Sequence, residues 1–238
     1  AEEADAIAAA LDAAEALDVI AAAARLADDT VAAAPVVDDT PRVALLHARH
    51  PLMLLADRRC VANDITVEAG QTLVISGPNA GGKTVALKTV GLAALMTRAG
   101  LPIPAASESE VALFDEVLTD VGDDQSLAKN LSTFSAHLKN IVRIVETIGS
   151  NSLVLMDEVG AGTDPAEGAA LAKALFDHFM RIGARVVATT HYGELKEYAY
   201  ARAGVENASV EFNRETLSPT YHILQGVPGS SNAFYIAS

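Results

Sequence analysis

Between Leu73 and Thr84 the chain reads Leu-Val-Ile-Ser-Gly77-Pro78-Asn79-Ala80-Gly81-Gly82-Lys83-Thr84. β-prone residues enter a glycine-rich turn, and a helix-forming stretch leaves it through Val85, Leu87, Val90 and Leu95. The turn fits G-x-x-x-x-G-K-S/T with the strand before it and the helix after it that this pattern requires. Its physics is specific. Glycines let the backbone fold so that several N–H groups converge on one anion. The helix starting near Gly82 aims its positive end at the same point. The expected ligand is therefore the phosphate chain of ATP. Lys83 should span the β- and γ-phosphates, and the Thr84 hydroxyl should ligate Mg²⁺. The expected nucleotide-binding set is Gly77, Pro78, Asn79, Ala80, Gly81, Gly82, Lys83, Thr84 and Val85.

A second apolar run, Leu153-Val-Leu-Met156, ends in Asp157-Glu158. Taken alone, such a run is ordinary: a buried strand meeting a solvated turn. Beside a phosphate loop it gains meaning, because ligands of open α/β sheets bind at the carboxyl ends of strands. Asp157 is placed to hold Mg²⁺ through water, and Glu158 to orient or activate the attacking water. A third strand-like run, Val186-Val-Ala-Thr-Thr190, delivers His191 to the same rim, within reach of the γ-phosphate or that water. Between Asp157 and this strand lies Gly160-Ala-Gly162-Thr-Asp164-Pro165-Ala-Glu167. Asp164, Pro165 and Glu167 read as a capped helix start with a capping box. Gly160 and Gly162 suggest a tight turn near the nucleotide or a partner subunit. Ser132, in Asn130-Leu-Ser132-Thr133-Phe-Ser-Ala-His137, reads as a helix N-cap; the alternative is a helix start that meets the γ-phosphate of another subunit.

The rest of the chain frames these motifs. Residues 1 to about 34 are dominated by Ala, the strongest helix former, with Ile7, Leu11, Ala14, Leu17, Ile20 and Ala24 at helical spacing. An amphipathic helix packed on the domain is the expectation; the sharper alternative is the end of a lever arm. Short strands are expected at Val43–His47, Ile65–Val67 and Leu73–Ser76. An irregular stretch should hold Val111–Phe114 and an acidic loop at Asp123-Asp124, followed by a helix from about Ser132 to Thr147. A helix Ala166–Ile182, a strand Arg185–Thr189, a short helix near Glu194–Tyr198 and strand-like runs near Val210 and Tyr221 complete the pattern. Strands alternating with helices imply a largely parallel sheet with crossover helices.

Composition excludes several functions. The net charge is −14, with no stripe of Lys and Arg, so tight binding of nucleic acid by this stretch alone is not expected. The one cysteine, Cys60, permits neither an internal disulfide nor a cysteine-built zinc site, and a reducing cytoplasm is the simplest setting. The first residues are acidic and Ala-rich, so no signal peptide is expected. The apolar runs are broken by Gly, Pro or charge, so no membrane contact is expected either.

Taken together, a phosphate loop, a strand ending in Asp-Glu, a Gly-rich turn and a strand ending in His resemble the ABC-type ATPase superfamily. The Leu-Ser-Gly-Gly-Gln segment of its transporter branch is absent. In its place stands Asn130-Leu-Ser-Thr-Phe-Ser-Ala-His137, which with GPNAGGKT resembles the MutS family. DEVGAGTDPAEGAALA (157–172), TTHYGELKEYA (189–199), NASVEF (207–212) and PTYHILQGVPGSSNAFYIA (219–237) are similar to its second bacterial subfamily, the paralogue tied to recombination rather than mismatch repair. The resemblance runs through nearly the whole chain. It implies residues 1–40 as the end of a lever or core region and residues 41–238 as an ABC-type ATPase domain. It implies a homodimer with composite sites: Gly77 to Thr84, Asp157, Glu158 and His191 serve one nucleotide, and Ser132 and Thr133 reach the nucleotide of the other subunit. Asn79 would add a γ-phosphate contact. Cys60 and Val61, before Ala62-Asn63, stand at the adenine pocket without the aromatic of mismatch-repair relatives, so aliphatic packing on the base is expected. A clamp and a C-terminal nuclease domain, present in such proteins, have no counterpart in this sequence. The longer protein is expected to act on branched or recombining DNA and suppress recombination, or to clear stalled ribosomes. A nucleotide-dependent assembly module with little hydrolysis of its own is a further alternative.

Overall fold

The computed structural model describes residues 2–37, 42–78, 81–122, 130–213 and 215–227. Its order of elements is α1 (Glu2–Thr30), β1 (Val43–Ala48), α2 (Pro51–Leu55), β2 (Asn63–Val67), β3 (Thr72–Ser76), α3 (Lys83–Arg98), β4 (Glu110–Val111), β5 (Glu116–Asp120), α4 (Asn130–Thr147), β6 (Ser152–Met156), α5 (Pro165–Ile182), β7 (Arg185–Thr190), α6 (Gly193–Ala201), β8 (Val205–Asn213) and β9 (Ser218–Gln225).

The main sheet has six strands in the order β5-β6-β7-β3-β8-β9. Neighbours from β5 to β8 pair in parallel, and β9 closes the edge antiparallel to β8. The fold is therefore α/β with a mostly parallel central sheet flanked by helices, as the sequence leads one to expect. β3, β6 and β7 are buried along their whole length. They read as continuous apolar runs because helices or a second sheet cover both faces.

Alternation along each strand sorts residues into two cores. Leu73, Ile75, Leu153, Leu155 and Val187 face Leu87, Val90 and Ala94 of α3 and the residues of a second, smaller sheet. Val74, Val154, Met156, Val186 and Ala188 face α4, α5 and α6, where Ile141, Phe176, Phe179 and Leu195 pack. Each fully buried Phe of α5 contributes about 1.5–3 kcal/mol from its transfer out of water. The smaller sheet is antiparallel, in the order β2-β1-β4. Its first two strands are expected from the sequence, but their separation from the main sheet is not. α3 lies so close to β6 that a Cβ on Gly91 would come 2.4 Å from Leu155 Cδ1.

Three expectations need correction. α1 forms, but it does not pack on the domain: Ile7, Leu11, Leu17 and Ile20 are each more than 60% exposed. Alanine propensity forms this helix without burial, and only the stretch near Thr30, itself buried, joins the body. The residues after it bridge to the smaller sheet region, Ala33 to Ile103 and Val36 to Glu110. Second, β5 occupies part of the stretch read as irregular. Its sequence, Glu-Val-Leu-Thr-Asp, is polar at both ends because it is the edge strand of the sheet. Third, α4 is already helical at Asn130. Ser132 thus lies within the first turn, not at the N-cap. The acidic loop at Asp123-Asp124 falls outside the described residues.

Candidate nucleotide-binding site

β3 ends at Ser76, and the chain turns at Gly77, with φ 142°. A Cβ at Gly77 would come 3.2 Å from Val210 Cβ, and one at Gly81 would come 2.9 Å from Val210 Cγ1. Val210 on β8 thus leaves little room for a side chain at either position, least of all at Gly81. Gly82 is the N-cap of α3 in the left-handed conformation, φ 91°. That leaves the helix start with no side-chain cap, so its first N–H groups face the loop. Asn79 and Ala80 lie outside the described residues.

Lys83, at the head of α3, is only 2% exposed, and its Nζ donates to the Gly77 carbonyl at 2.7 Å. Burial lowers its pKa, and the carboxylates of Glu158 and Asp157 oppose that shift. A buried ammonium is costly without anionic company; these two carboxylates supply part of it.

Asp157 follows β6 and connects three strands. Its Oδ2 accepts from Thr84 Oγ1 at 2.7 Å, and its Oδ1 accepts from Thr189 Oγ1 on β7. Its backbone N–H donates to the Asp120 carbonyl at 2.9 Å. Thr189 Oγ1 in turn accepts from the Glu158 N–H at 2.8 Å. Hydroxyl, carboxylate and N–H thereby lock the phosphate-loop helix, the Asp-Glu corner and β7 into one unit. A hydroxyl and a carboxylate oxygen 2.7 Å apart are hard oxygen donors of the kind Mg²⁺ prefers, so the donor set fits that ion. Glu158 has φ 48°, a left-handed conformation unusual for a non-glycine residue. Such a residue persists only when its surroundings hold it, and here two hydrogen bonds flank it: Val159 N–H to the Thr189 carbonyl at 3.0 Å and Ala161 N–H to the Glu158 carbonyl at 2.9 Å.

His191 stands one residue beyond β7 on the same rim. It is exposed, and its ring meets the Tyr192 ring edge-on at 4.4 Å. Tyr192 Oη donates to the Gly160 carbonyl at 3.0 Å, tying the Gly160 turn to the end of β7. That turn has a simpler cause than a nucleotide. Gly160 (φ 82°) packs backbone to backbone on Gly168 of α5, where a Cβ would come 2.5 Å from the Gly168 carbonyl oxygen. Asp164 caps α5 as expected, accepting from the N–H groups of Ala166 and Glu167. The capping box is not closed, because Glu167 accepts from Thr163 Oγ1 at 3.2 Å.

Beside the loop lies a cavity of about 470 Å³, lined among others by Cys60, Val61, Met53, Val85, Thr89 and Tyr221. Cys60, Val61 and Val85 are expected from the sequence, whereas Met53 and Tyr221 carry no local signal. Tyr221 brings an aromatic ring to the cavity wall from β9. Asn63 fastens the two walls together. Its Nδ2 donates to the Tyr221 carbonyl at 3.1 Å and its Oδ1 accepts from the Ile223 N–H at 2.7 Å. Ser132 and Thr133 lie on the first turns of α4; the placement of their side chains is outside the described residues.

Residues 73–238 match the family model of MutS domain V, which spans the phosphate loop, the Asp-Glu corner and His191. The chain belongs to the MutS family. Three curated relatives are named Endonuclease MutS2. The one from Bacillus velezensis is 59% identical over 196 residues, 82% of this chain and 25% of the relative. The one from Listeria innocua is also 59% identical over 196 residues, with the same coverage. The one from Enterococcus faecalis is 57% identical over 196 residues, again 82% and 25%. The chain thus spans about a quarter of the length of the relatives it matches. These likenesses place it with the second MutS subfamily. MutS domain V is an ATPase family. No helix among the described residues is long and apolar enough to cross a membrane.

Proposed function

We propose that this MutS domain V binds Mg²⁺-ATP and hydrolyses it. The observation that carries the reading is the Thr84–Asp157 hydrogen bond of 2.7 Å, which joins the phosphate-loop helix to the Asp-Glu corner. The loop N–H groups and Lys83 bind the β- and γ-phosphates and stabilise charge as the phosphoryl group transfers. Thr84 and Asp157 hold Mg²⁺, which neutralises charge on the phosphate oxygens. Glu158 orients a water for in-line attack and accepts its proton. His191 contacts the γ-phosphate or that water from the neighbouring strand end. The base occupies the cavity of Cys60, Val61 and Tyr221. Asn79 contributes a γ-phosphate contact from within the loop.

The hydrolytic site is composite. Two copies of the ATPase domain meet so that Ser132 and Thr133 of one reach the nucleotide of the other. Residues 1–40 form the end of a lever that passes the nucleotide state to the remainder of a longer protein. With a net charge of −14, this chain works as the motor, and other segments grip branched DNA in the suppression of recombination. The relatives named as endonucleases support a nucleic-acid substrate. Such work belongs in the cytoplasm.

The test is Glu158→Gln. Steady-state hydrolysis should fall about 100-fold or more, while binding of a fluorescent ATP analogue with Mg²⁺ stays within about threefold. Unchanged turnover would overturn the role of Glu158.

A further inference from the structure

α4 carries an apolar stripe, Ile141 and Ile144, into the core beneath the sheet. One turn earlier the stripe becomes polar. His137 and Asn140 lie on the same face, and both reach the nearly buried carboxylate of Asp120, which is 6% exposed. His137 Nδ1 lies 3.0 Å from Asp120 Oδ1 and 3.1 Å from Oδ2. A carboxylate only accepts, so this ring nitrogen carries the proton. Asn140 Nδ2 donates to Asp120 Oδ1 at 3.0 Å and to the Thr119 carbonyl at 2.8 Å. A buried carboxylate held this way adds little net stability over apolar packing, but it fixes one arrangement.

The place of this arrangement gives it meaning. Asp120 is the last residue of β5, and its carbonyl accepts from the N–H of Asp157, the residue that also accepts from Thr84. Toward the amino end of α4, Ser132 lies five residues before His137, about 7.5 Å along the helix axis. One carboxylate residue therefore connects the magnesium corner of a chain to the helix start that serves the partner.

We propose that Asp120, His137 and Asn140 form a clasp that aims the leading turns of α4, with His137 a positioning residue for the partner's nucleotide rather than for its own. This rests on the composite-site reading above. Loss of the clasp removes one hold on the turns ahead of Ile141 and Ile144, which still anchor α4 to the core. A misplacement of about 1 Å at a reacting group costs up to about 100-fold in rate.

The experiment uses two differently tagged copies of the chain, co-expressed and purified through both tags, with Lys83→Ala silencing the site of one copy. The baseline pair joins a Lys83→Ala copy to an unaltered one. In the first test pair, Lys83→Ala and His137→Ala sit in the same copy, so the working site faces an unclasped α4. Turnover should drop about tenfold or more below baseline. In the second, Lys83→Ala and His137→Ala sit in different copies, so the working site faces a clasped α4 and turnover should stay within about twofold of baseline. His137→Asn, whose Nδ2 takes the place of the ring Nδ1, should restore the first pair and guards against simple misfolding. Equal loss in both pairs, loss in neither, or no rescue by Asn overturns the clasp. Ser132→Ala in the same two pairs tests the composite reading itself. No asymmetry there overturns both claims, whereas asymmetry for Ser132 but not for His137 overturns the clasp alone.

Discussion

Glu158 and Gly160 show how much of the site is decided by single backbone conformations. Glu158 holds φ 48° directly after Asp157, and Gly160 holds φ 82° where its backbone touches Gly168. A methyl group at Gly160 would meet both the wrong φ and the Gly168 carbonyl at 2.5 Å. Gly160→Ala should therefore destabilise the fold by at least about 2 kcal/mol, read as a lower urea midpoint at unchanged slope. Asn63→Ala should act differently. It unfastens Tyr221 and Ile223 from the wall of the cavity, and affinity for an ATP analogue should weaken about tenfold in a fluorescence titration. Legibility at this scale follows sequence distance. Gly77 to Thr84 declare themselves because strand, turn and helix are contiguous. Asp157, Glu158 and His191 follow from the rule for strand ends. Tyr221 does not, since its partner Asn63 is 158 residues away and no local pattern joins them.

Helices of this chain divide into those that fold by packing and one that folds by propensity. Phe176 on α5 is fully buried, whereas Leu11 on α1 is 65% exposed. Phe176→Ala should cost about 3–5 kcal/mol, and Leu11→Ala no more than about 0.5 kcal/mol, both by chemical denaturation. The hydrophobic spacing in the two helices is similar enough to read both as packed; what it cannot carry is whether a partner surface lies opposite. β5 shows the reverse problem. As an edge strand with polar ends it lacks the apolar run that announces β3 or β6. α5 and α6 are also joined by charge. Tyr198 Oη and Arg202 both donate to Asp177 Oδ1 at 2.8 Å. The Tyr198 bond, more than Arg202, holds the Asp177 carboxyl below its usual pKa. A carboxyl depressed in the folded state adds stability above its unfolded pKa of about 4 and loses it as pH falls through the folded value. Asp177→Asn should therefore lower the melting temperature at neutral pH and flatten the acid limb of its profile, the two proteins converging below about pH 4.

At the scale of the whole molecule, one rim gathers residues from β3, α3, β6 and β7, and the cavity adds β2 and β9. A ligand seated there joins both sheets, so it should stabilise the entire fold. Mg²⁺-ATP at about 100 times its Kd should add about 2.7 kcal/mol, seen as a rise in melting temperature. Removal of Mg²⁺ with EDTA should reduce the rise, and Lys83→Ala should abolish it. The alternation of strands and helices makes this architecture readable in advance. The split into two sheets is not, because Val43 and Ile65 alternate in the same way whichever sheet receives them.

The bond from Asn63 to Tyr221 also sets an order in time. During synthesis, the residues of the phosphate loop and the Asp-Glu corner emerge well before β8 and β9, which bring Val210 and Tyr221. The cavity wall carried by Tyr221 waits for β9, the last strand among the described residues. A growing chain therefore carries both Asn63 and the glycine-rich loop while the cavity beside them is still open, and the cavity closes only when β9 has docked.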